Sequence, residues 1–467
     1  MRGSATVVLD VGKTNAKLSL WTRDGQALAR RVRRNAEVAG PGYRALDVGG
    51  IEAWLRETLR EFAGLADVRA IIPVGHGAAA ALVSGGALFT PPMDYEDEAS
   101  EADQADYARQ RDDFEVTGSP RLPQGLNLGL QLHRLEATTG PWPDDLTILP
   151  WPQYWAWRLS GVAASEASSL GCHSDLWRAY QGRPSRLAVG RGWAARMGPL
   201  RHAGEALGPI TPEWVRLTGL SPDCQVHCGL HDSNAALLAA RGHPAIAHQD
   251  ATILSTGTWF VAMRSPAPDA PPGCLPTLDE ARDCLTNVDV SGRPIPSARF
   301  MGGREAELIA GLDTFHLTED YDPETLLQRL PGLIAAGSCV LPSFAPGVGP
   351  FPDHPGRWVN PPDDRGDKRA VLGLYLALMA DVALDLIGSR ERLLVEGRFA
   401  EAQVFVRALA TLRPDQAVYV SNAQDDVPYG ALRLLNPSLP PPSPLVAVAP
   451  LPFSLDDYRR GWRAAVV

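Results

Sequence analysis

Cysteine is scarce in this chain, and its arrangement excludes the usual zinc motifs. Six cysteines occur in 467 residues, and no two of them form a Cys-x-x-Cys pair. Cys224 and Cys228 have His227 and His231 as neighbours, but this spacing matches none of the common zinc-binding patterns. Sparse, unpaired cysteines are typical of proteins kept in a reducing compartment. We therefore expect buried, reduced thiols in preference to a Cys/His metal cluster.

Long apolar runs are also missing. No stretch approaches the ~20 residues that a helix needs to cross a membrane. The longest weakly charged run, 77–92, is rich in alanine and glycine. The apolar start at residues 6–9 ends at Asp10 and is too short for the core of a signal peptide. The sequence therefore predicts a cytoplasmic protein with no membrane partner.

Basic charge is in deficit. The 44 lysine and arginine residues stand against 54 aspartate and glutamate residues, for a net charge of −10. Nucleic acids bind to basic surfaces, so the composition predicts no nucleic-acid partner, although a few local donors can still hold one nucleotide. With 45% hydrophobic and 21% charged residues, the rest of the composition is that of a globular protein with room for about two to four domains.

A β-rich pattern fills most of the first hundred residues. Alternation of polar and apolar residues, interrupted by the turn-forming pair Asp24-Gly25, predicts consecutive strands. An apolar stripe with helical spacing predicts a helix after them. The predicted elements are strands at 7–9, 17–21, 28–34 and 70–74 and a helix over 51–62.

A similar strand–turn–strand unit recurs near the middle of the chain. Two unrelated hairpins would give the same pattern, but two small, hydroxyl-rich turns half a chain apart favour a duplicated fold. A boundary at 241–244 then divides the chain into domains 1–242 and 243–467. The elements predicted for the second half are strands at 251–255, 259–263, 284–290 and 418–420 and helices over 369–388 and 399–412.

The first chemistry-bearing motif is Asp-Val-Gly-Lys-Thr-Asn-Ala-Lys at 10–17. A hairpin tip built around glycine exposes backbone N–H groups that can hold phosphate oxygens. Asp10, at the strand end, can face a magnesium ion. A tight hairpin with a solvated lysine is the alternative interpretation. The expected phosphate ligands are Gly12, Lys13, Thr14, Asn15 and Lys17.

Two more motifs lie near the predicted domain boundary. Thr256, Gly257 and Thr258 form a second hydroxyl-rich turn, which is common by itself but, paired with the first, suggests a nucleotide held between two domains. Asp232 opens a predicted helix, where aspartate most often serves only as an N-cap. A functional Asp232 would instead lie where a substrate hydroxyl group meets a phosphate.

In this order and spacing, the three motifs resemble the FGGY family of carbohydrate kinases, over nearly the whole chain. The resemblance implies two ribonuclease-H-like α/β domains, as in actin-like ATPases, with an active-site cleft between them. It implies that Asp232 is the catalytic base and that Asp10 and Asp232 face Mg²⁺. Residues 231–233 and 254–259 look closest to the rhamnulokinase branch. The first domain would then bind sugar and phosphate, and the second the nucleotide.

The resemblance also suggests sugar-binding residues. The loop at 74–77 is similar to a family substrate loop that ends in His-Gly, although a surface-loop histidine is the alternative for His76. Segment 92–97 takes the place of a sugar-contacting segment in which the family usually has an Asp and an Arg, and it contains no Arg. Asn127 and Gln131 fall where the branch has a similar polar segment. The expected substrate ligands are His76, Gly77, Asp94, Tyr95 and His231.

One departure from the family pattern concerns the nucleotide. The family has a run of glycines near the adenosine, and only Gly397 matches it here. Arg398 and Phe399 would flank or stack on the base, or would partly fill the site. The principal expectation is an ATP- and Mg²⁺-dependent kinase acting on a primary hydroxyl group of a ketose. The alternatives are a degenerate sugar- and nucleotide-binding sensor and an actin-like ATPase with another acceptor; a homodimer is left open.

Overall fold

A computed structural model describes residues 3–271, 275–310, 322–421 and 426–466. The chain forms two compact units, and both are discontinuous in sequence. The first unit comprises Met1–Gly242, Thr286–Pro294 and Asp425–Pro441, and the second comprises His243–Leu285, Ile295–Gln424 and Pro442–Val467. The predicted assignment of sugar to one half of the chain and nucleotide to the other stays a prediction.

Strands and helices alternate irregularly up to residue 242. The strands are β1 (Ser4–Val11), β2 (Asn15–Thr22), β3 (Ala27–Arg34), β4 (Glu37–Ala39), β5 (Arg44–Leu46), β6 (Asp67–Gly75), β7 (Ala80–Ser84), β8 (Ala87–Thr90), β9 (Thr147–Pro150), β10 (Trp177–Arg178), β11 (Arg183–Pro184), β12 (Ala206–Pro209), β13 (Gln225–His227) and β14 (Leu230–His231). The helices are α1 (Val48–Leu65), α2 (Glu101–Ala108), α3 (Phe114–Thr117), α4 (Leu128–Thr139), α5 (Trp151–Ser160), α6 (Ala167–Leu170), α7 (Arg186–Gly190), α8 (Pro212–Thr218) and α9 (Asp232–Ala240).

The rest of the chain continues the same mixture. Its strands are β15 (Ala251–Thr256), β16 (Phe260–Ser265), β17 (Cys284–Val288), β18 (Pro294–Phe300), β19 (Cys339–Leu341), β20 (Arg357–Val359), β21 (Arg392–Gly397), β22 (Ala417–Ser421) and β23 (Val446–Ala447). Its helices are α10 (Gly302–Ala310), α11 (Pro323–Ala335), α12 (Arg365–Leu386), α13 (Gln403–Leu412), α14 (Asp426–Leu435) and α15 (Asp456–Val466). Short 3₁₀ helices occur at Ala194–Arg196, Glu280–Arg282 and Arg398–Glu401.

The central sheet of the first unit has the strand order β12-β13-β6-β1-β2-β3, and β14 also pairs with β6. Strands β1 and β14 both run parallel to β6, and Val11 and His231 are both in register with Gly75. The carboxyl ends of these three strands therefore meet at one edge of the sheet. That edge is where open α/β sheets bind ligands.

Strand β1 is buried on both faces, as the apolar run in its sequence predicts. Val7 and Leu9 share one core with α1, whereas Val8 shares another with α9 and α14. The contact between the two helices is close, because a Cβ atom on Gly430 would lie 1.7 Å from the carbonyl oxygen of Ala235. Glycine at position 430 thus lets α14 hold the helix that begins with Asp232.

The second unit repeats this arrangement. Its sheet has the order β17-β18-β16-β15-β21-β22-β23. Strand β15 pairs antiparallel with β16 and parallel with β21, so that Thr256 lies opposite Gly397, as Val11 lies opposite Gly75 in the first unit. The duplicated strand–turn–strand fold expected from the sequence is confirmed.

Two sequence predictions about helices are wrong in detail. The helix predicted over 51–62 begins earlier, at Val48, and continues to Leu65. The helix predicted over 399–412 begins only at Gln403, because Gly397 has a φ of +86° and the residues after it form a 3₁₀ turn. The cause is tertiary: Phe399 turns into the core, where it is 2% exposed.

The cysteines and the apolar helices can be compared with the sequence expectations. Cys172, Cys224, Cys228 and Cys284 are buried free thiols and Cys339 is half-buried, whereas Cys274 lies outside the described residues. Burial raises the pKa of Cys284 to about 11, so that thiol stays protonated at neutral pH. None of the helices in the described ranges combines the length and the apolar character that a bilayer-spanning segment requires.

Candidate active site

Asp10 is the carboxylate at the end of β1. Its neighbour across the β1–β2 hairpin is Lys17, whose Nζ lies 3.4 Å from Asp10 Oδ2. Burial raises the pKa of Asp10 to about 6; the charge of Lys17 lowers it, and the charge of Asp232 adds to the rise. The two carboxylates therefore influence each other at the same edge of the sheet.

Asp232 is the first residue of α9, and the N-cap position belongs to His231. The simple N-cap interpretation of Asp232 is therefore wrong. Its Oδ1 atom accepts hydrogen bonds from the N–H of Ser233 at 2.6 Å and from the Ser233 hydroxyl at 3.3 Å. Burial raises the pKa of Asp232 to about 6, although the hydrogen bonds from Ser233 and the charge of Lys17 lower it. The side chain is still 30% exposed, so a ligand can reach it.

His231 is held in one orientation by three neighbours. Its Nδ1 lies 3.3 Å from the amide nitrogen of Asn234, and its Nε2 lies 3.2 Å from Asp232 Oδ1 and 3.3 Å from Cys172 Sγ. Burial lowers the pKa of His231 to about 4, so the ring is neutral at neutral pH. Since Asn234 donates to Nδ1, we assign the proton to Nε2, whose hydrogen-bond partner is Cys172 Sγ and which also lies beside Asp232 Oδ1.

The turn between β1 and β2 is fixed from behind by Asn35. The Asn35 side chain donates to the carbonyl oxygens of Gly12 and Lys13, at 2.8 and 3.2 Å, and its backbone N–H donates to that of Thr14 at 2.8 Å. The N–H groups of Lys13 and Thr14 donate to no protein acceptor in the described ranges. Such unused, adjacent N–H groups are suited to phosphate oxygens, which supports the predicted role of this turn.

The Lys13 side chain, however, lies with the predicted sugar segment. Its ammonium group hydrogen-bonds Asp94, lies 3.3 Å from Glu96 Oε2 and 3.6 Å from Glu37 Oε1, and stands 5.8 Å from the ring centroid of Tyr95. Burial alone would lower the pKa of Lys13, but the hydrogen bond and charge of Asp94, with the charge of Glu96, raise it overall. Sequence reasoning placed this side chain with the phosphate and did not find this pairing.

His76 is half-buried, but both of its ring nitrogens are shielded from solvent, so it is not an exposed surface-loop histidine. Neither ring nitrogen has a hydrogen-bond partner in the described part of the chain. Its ring lies edge-on to Tyr95 with 5.6 Å between centroids, and 6.2 Å from Trp151. Burial lowers the pKa of His76 to about 3, so it is a neutral donor and acceptor. A buried imidazole without partners is an incomplete hydrogen-bond site that a polar ligand would complete.

Gly77, Asn127 and Gln131 have structural roles that the sequence did not predict. A Cβ atom on Gly77 would lie 2.4 Å from Cys172 Sγ, so packing alone requires glycine there. The side-chain oxygen of Asn127 accepts from the N–H of Leu122. Its amide nitrogen donates to the hydroxyl group of Ser119 and to the carbonyl oxygens of residues 120 and 173. The amide nitrogen of Gln131 donates to the carbonyl oxygens of residues 78 and 125. The Asn127 and Gln131 side chains therefore hold backbone segments around the site in place.

In the second unit, the turn after β15 divides its roles among three residues. The Thr256 hydroxyl donates to the carbonyl of Glu396 and accepts from the N–H of Phe399 at 3.1 Å, so it fixes the loop after β21. Gly257 has open space where a side chain would be, and Thr258 is exposed. Gly257 and Thr258 are therefore the members of the predicted set that are open to a ligand.

The loop after β21 differs from its sequence interpretation at Phe399. The Phe399 ring packs at 4.9 Å from Phe260, centroid to centroid, within the core of the second unit. It therefore neither stacks on a base nor fills a site. Arg398 is half-buried beside Gly397, whose Cβ position would lie 2.3 Å from the carbonyl oxygen of Thr256. Gly397 is required by this close approach of two strands.

Sequence reasoning did not assign structural roles to two residues that support the site, one beside the turn after β15 and one beside His231. A Cβ atom on Gly303, at the start of α10, would lie 2.1 Å from the carbonyl oxygen of Gly257, and the Gly302-Gly303 pair was the available signal. Glu166 is fully buried; its Oε2 accepts from the N–H of Ser169 and from the hydroxyl of Ser168, which in turn accepts from the N–H of His231.

The pair Asp10 and Asp232 fits a magnesium ion. Carboxylate oxygens are the ligands that Mg²⁺ prefers, and burial raises the pKa of both groups, which a bound cation would offset. Another acidic group in the described ranges, Glu37, Asp94 and Glu96, also brings its oxygens within 4.8 Å of one another. Lys13 already supplies a positive charge to that group.

Comparisons with known proteins agree with this geometry. Residues 248–442 match the family described as "Carbohydrate kinase FGGY, C-terminal domain". A carbohydrate kinase from Novosphingobium aromaticivorans is 51% identical, with 100% of this chain and 99% of that one covered and a TM-score of 0.94. Two more distant proteins share the fold. A xylulose kinase from Rhodospirillum rubrum is 18% identical, with 99% of this chain and 98% of that one covered and a TM-score of 0.77. A glycerol kinase from Plasmodium falciparum, solved with ADP, is 11% identical, with 100% of this chain and 98% of that one covered and a TM-score of 0.75.

Proposed function

The chain belongs to the FGGY family of carbohydrate kinases, and from that premise we propose that it transfers the γ-phosphate of ATP to a primary hydroxyl group of a ketose. Membership makes it a phosphotransferase with the two-domain, actin-like fold. The observation that carries the finer proposal is the partly exposed Asp232 carboxylate, beside Asp10, at the carboxyl edge of the first sheet. The narrower likeness to rhamnulokinases stays a prediction.

In this mechanism Asp232 accepts the proton of the sugar hydroxyl group. Its Oδ1 atom is occupied by Ser233 and His231, whereas Oδ2 has no hydrogen-bond donor in the described part of the chain. Oδ2 is therefore the atom that would take the proton. A pKa of about 6 leaves the carboxylate ionised at neutral pH yet more basic than an ordinary aspartate, which suits a general base.

The phosphate groups would be held by the free N–H groups of Lys13 and Thr14 and by the charge of Lys17. Asp10 and Asp232 would hold Mg²⁺, which when bound neutralises charge on the phosphate oxygens. Phosphoryl transfer asks the protein mainly for such positioning and charge compensation. Asn35 fixes the turn before any ligand arrives, so this part of the site is preorganised.

The nucleotide would be bound in the second unit by Gly257, Thr258, Gly397 and Arg398. The open space at Gly257 supports this, because a phosphate can approach the backbone closely there. A sugar- and nucleotide-binding sensor is the second candidate. The occupied Thr256 hydroxyl and the single glycine at position 397 favour it, since both reduce the groups open to a nucleotide.

The experiment that separates the two candidates is ADP release with Mg·ATP and a panel of ketoses, aldoses and polyols. We expect turnover with a ketose and a rise in Tm with Mg·ATP, because a ligand that binds only the folded state stabilises it. ATP and sugar binding without any ADP release would favour the sensor. Turnover of polyols or aldoses alone would reject the ketose assignment.

A further inference from the structure

The backbone of Lys13 belongs to the predicted phosphate-binding turn, whereas its side chain contacts the predicted sugar-binding segment. Its N–H group, in the β1–β2 turn, has no protein acceptor in the described ranges, while its ammonium group hydrogen-bonds Asp94, 81 residues later in the chain. Asp94 is completely buried, and the Lys13 side chain is only 15% exposed. Because water cannot solvate these two charges, each charge is stabilised mainly by the other.

The Asp94 carboxylate is already bonded at both oxygens. Its Oδ2 accepts from Lys13, and its Oδ1 accepts from the N–H of Glu96 at 2.9 Å. Removing the ammonium group would leave a buried carboxylate without a counter-charge, which is strongly unfavourable. Lys13 thus determines where Asp94 and the segment around it lie.

A ligand-binding wall adjoins this ion pair. The Tyr95 ring lies between the ammonium group of Lys13, at 5.8 Å, and the ring of His76, at 5.6 Å. The ring nitrogens of His76 are buried and unpartnered, so a polar ligand is needed to complete their hydrogen bonds. Hydroxyl groups can both donate and accept, which matches a wall that offers the partly exposed Glu96 carboxylate, the Lys13 ammonium group and a neutral imidazole.

The charge of this wall disfavours anionic sugars. Three carboxylates, of Glu37, Asp94 and Glu96, face two cationic groups, Lys13 and the Arg44 guanidinium that lies 3.4 Å from Glu37 Oε2, so the cluster remains net negative. A sugar acid would bring another negative charge to this region, whereas a neutral polyhydroxyl sugar would not.

We propose that Lys13 is a positioning residue of the sugar site, whose ion pair with Asp94 makes the site select neutral ketoses over sugar acids. This rests on the proposed kinase function for the identity of the ligand. It moves the Lys13 side chain from the phosphate-binding set to the sugar-binding set, while the Lys13 N–H group still faces the phosphate. If the Lys13 side chain positions the sugar site, its removal should weaken binding of the ketose; if it binds phosphate, its removal should weaken binding of Mg·ATP instead.

Calorimetry on the full chain separates these roles without requiring turnover. The titrants are the neutral ketose that the wild type binds best, the sugar acid of the same carbon number, and Mg·ATP. In Lys13→Met we expect ketose affinity to fall ~10–100-fold, as for loss of a charge-assisted hydrogen bond, with Mg·ATP affinity within about twofold. Lys13→Arg should recover part of the ketose affinity. The wild type should not bind the sugar acid.

Lys17→Met is the matched control, because it removes an ammonium group from the same hairpin that faces Asp10. It should weaken Mg·ATP more than ketose. If Lys13→Met does not fold, the double variant with Asp94→Asn removes both charges and should show the same loss of ketose affinity. Unchanged ketose affinity, a loss confined to Mg·ATP, tight binding of the sugar acid, or no ketose binding by the wild type would overturn the proposal. Ketose binding without ADP release would refute only the kinase function.

Discussion

The Nε2 atom of His231 lies 3.2 Å from Oδ1 of Asp232, and Asn234 holds the other ring nitrogen. This contact fixes which carboxylate oxygen faces the ligand. Because Oδ1 is satisfied by protein groups, the proton of a sugar hydroxyl group would go to Oδ2. The orientation of the base is therefore built into the start of α9 and does not depend on the substrate.

Asp232→Asn should give a folded protein that binds ligands and is nearly inactive. Asparagine keeps the shape and an oxygen that accepts from Ser233, but it cannot accept the proton. Losses of ~10²–10⁴ in kcat are typical for a general base. Steady-state turnover on the best ketose, with calorimetry for binding, measures this. Asp223→Asn, at a side chain that is 81% exposed, is the control and should behave as wild type. Turnover of Asp232→Asn within a few-fold of wild type would overturn the mechanism.

His231→Ala should lower kcat and move the acid limb of the kcat/KM profile to higher pH. The polar Nε2–H group, 3.2 Å from Oδ1, favours the ionised carboxylate and lowers its pKa, so loss of this group makes Asp232 harder to ionise. Activity rises with pH as a base loses its proton, so this limb shifts upward. We expect a fall in kcat of ~10–100-fold. His231→Asn, which can still donate, should recover part of the shift. Superimposable pH profiles for the three proteins would show that His231 does not act on Asp232.

Glu166 should make the unliganded protein less stable as pH rises from about 5 to 8. Burial raises the pKa of Glu166 from 4.5 to about 7. Between those values the folded state binds more protons than the unfolded state, so stability falls as pH increases. The full effect is about 3 kcal/mol, or a change in Tm on the order of 5 °C.

The comparison for this prediction is Glu166→Gln, which cannot titrate. The Tm difference between the variant and the wild type should grow in favour of the variant from pH 5 to pH 8. His76 and His231, whose pKa values are lowered, give an opposite trend at acid pH, but they cancel in the difference. Parallel Tm curves for the two proteins would mean that Glu166 does not titrate in this range.

Gly430→Ala should destabilise the protein and reduce its activity. The added Cβ atom would meet the carbonyl oxygen of Ala235, which is backbone and cannot turn aside. Overpacking of this kind costs about 1–3 kcal/mol, and displacement of α9 would move Asp232. Gly461→Ala in α15 is the matched control, because nothing lies within 4 Å of its Cβ position. There alanine should stabilise by about 0.5–1 kcal/mol. Equal Tm changes in the two variants would contradict the packing argument.

Local sequence patterns predict the hairpins but not the direction of every side chain on them. The alternation at 17–21 and the turn at Asp24-Gly25 depend on neighbouring residues, and β2 and β3 form where they were expected. The side chain of Lys13 is determined by Asp94, a residue remote in sequence. Proximity to Gly12 and Thr14 therefore suggested a phosphate ligand, and only the tertiary structure shows the pairing with the sugar segment.

The same limit explains the errors at Phe399 and Asp232. A glycine followed by Arg-Phe gives no indication of which way the ring points, and packing against Phe260 decides it. For Asp232, an acidic residue before an Ala/Leu-rich helix predicts a cap, but the helix begins one residue earlier than a cap would require. Helix propensity and apolar periodicity do not locate the first residue of a helix to within one position. The family motif nonetheless singled out Asp232, whose role as the base stays a prediction.

The first unit receives α14 from residues 426–435, which are synthesised long after the sheet that α14 covers. While the chain emerges from a ribosome, Val8 and α9 have an incomplete apolar cover until about nine-tenths of the protein has been made. A fragment ending at residue 242 would expose that surface. The nascent chain therefore carries an incompletely covered domain from the completion of α9 until α14 has been made, and it depends on this late helix to complete the core.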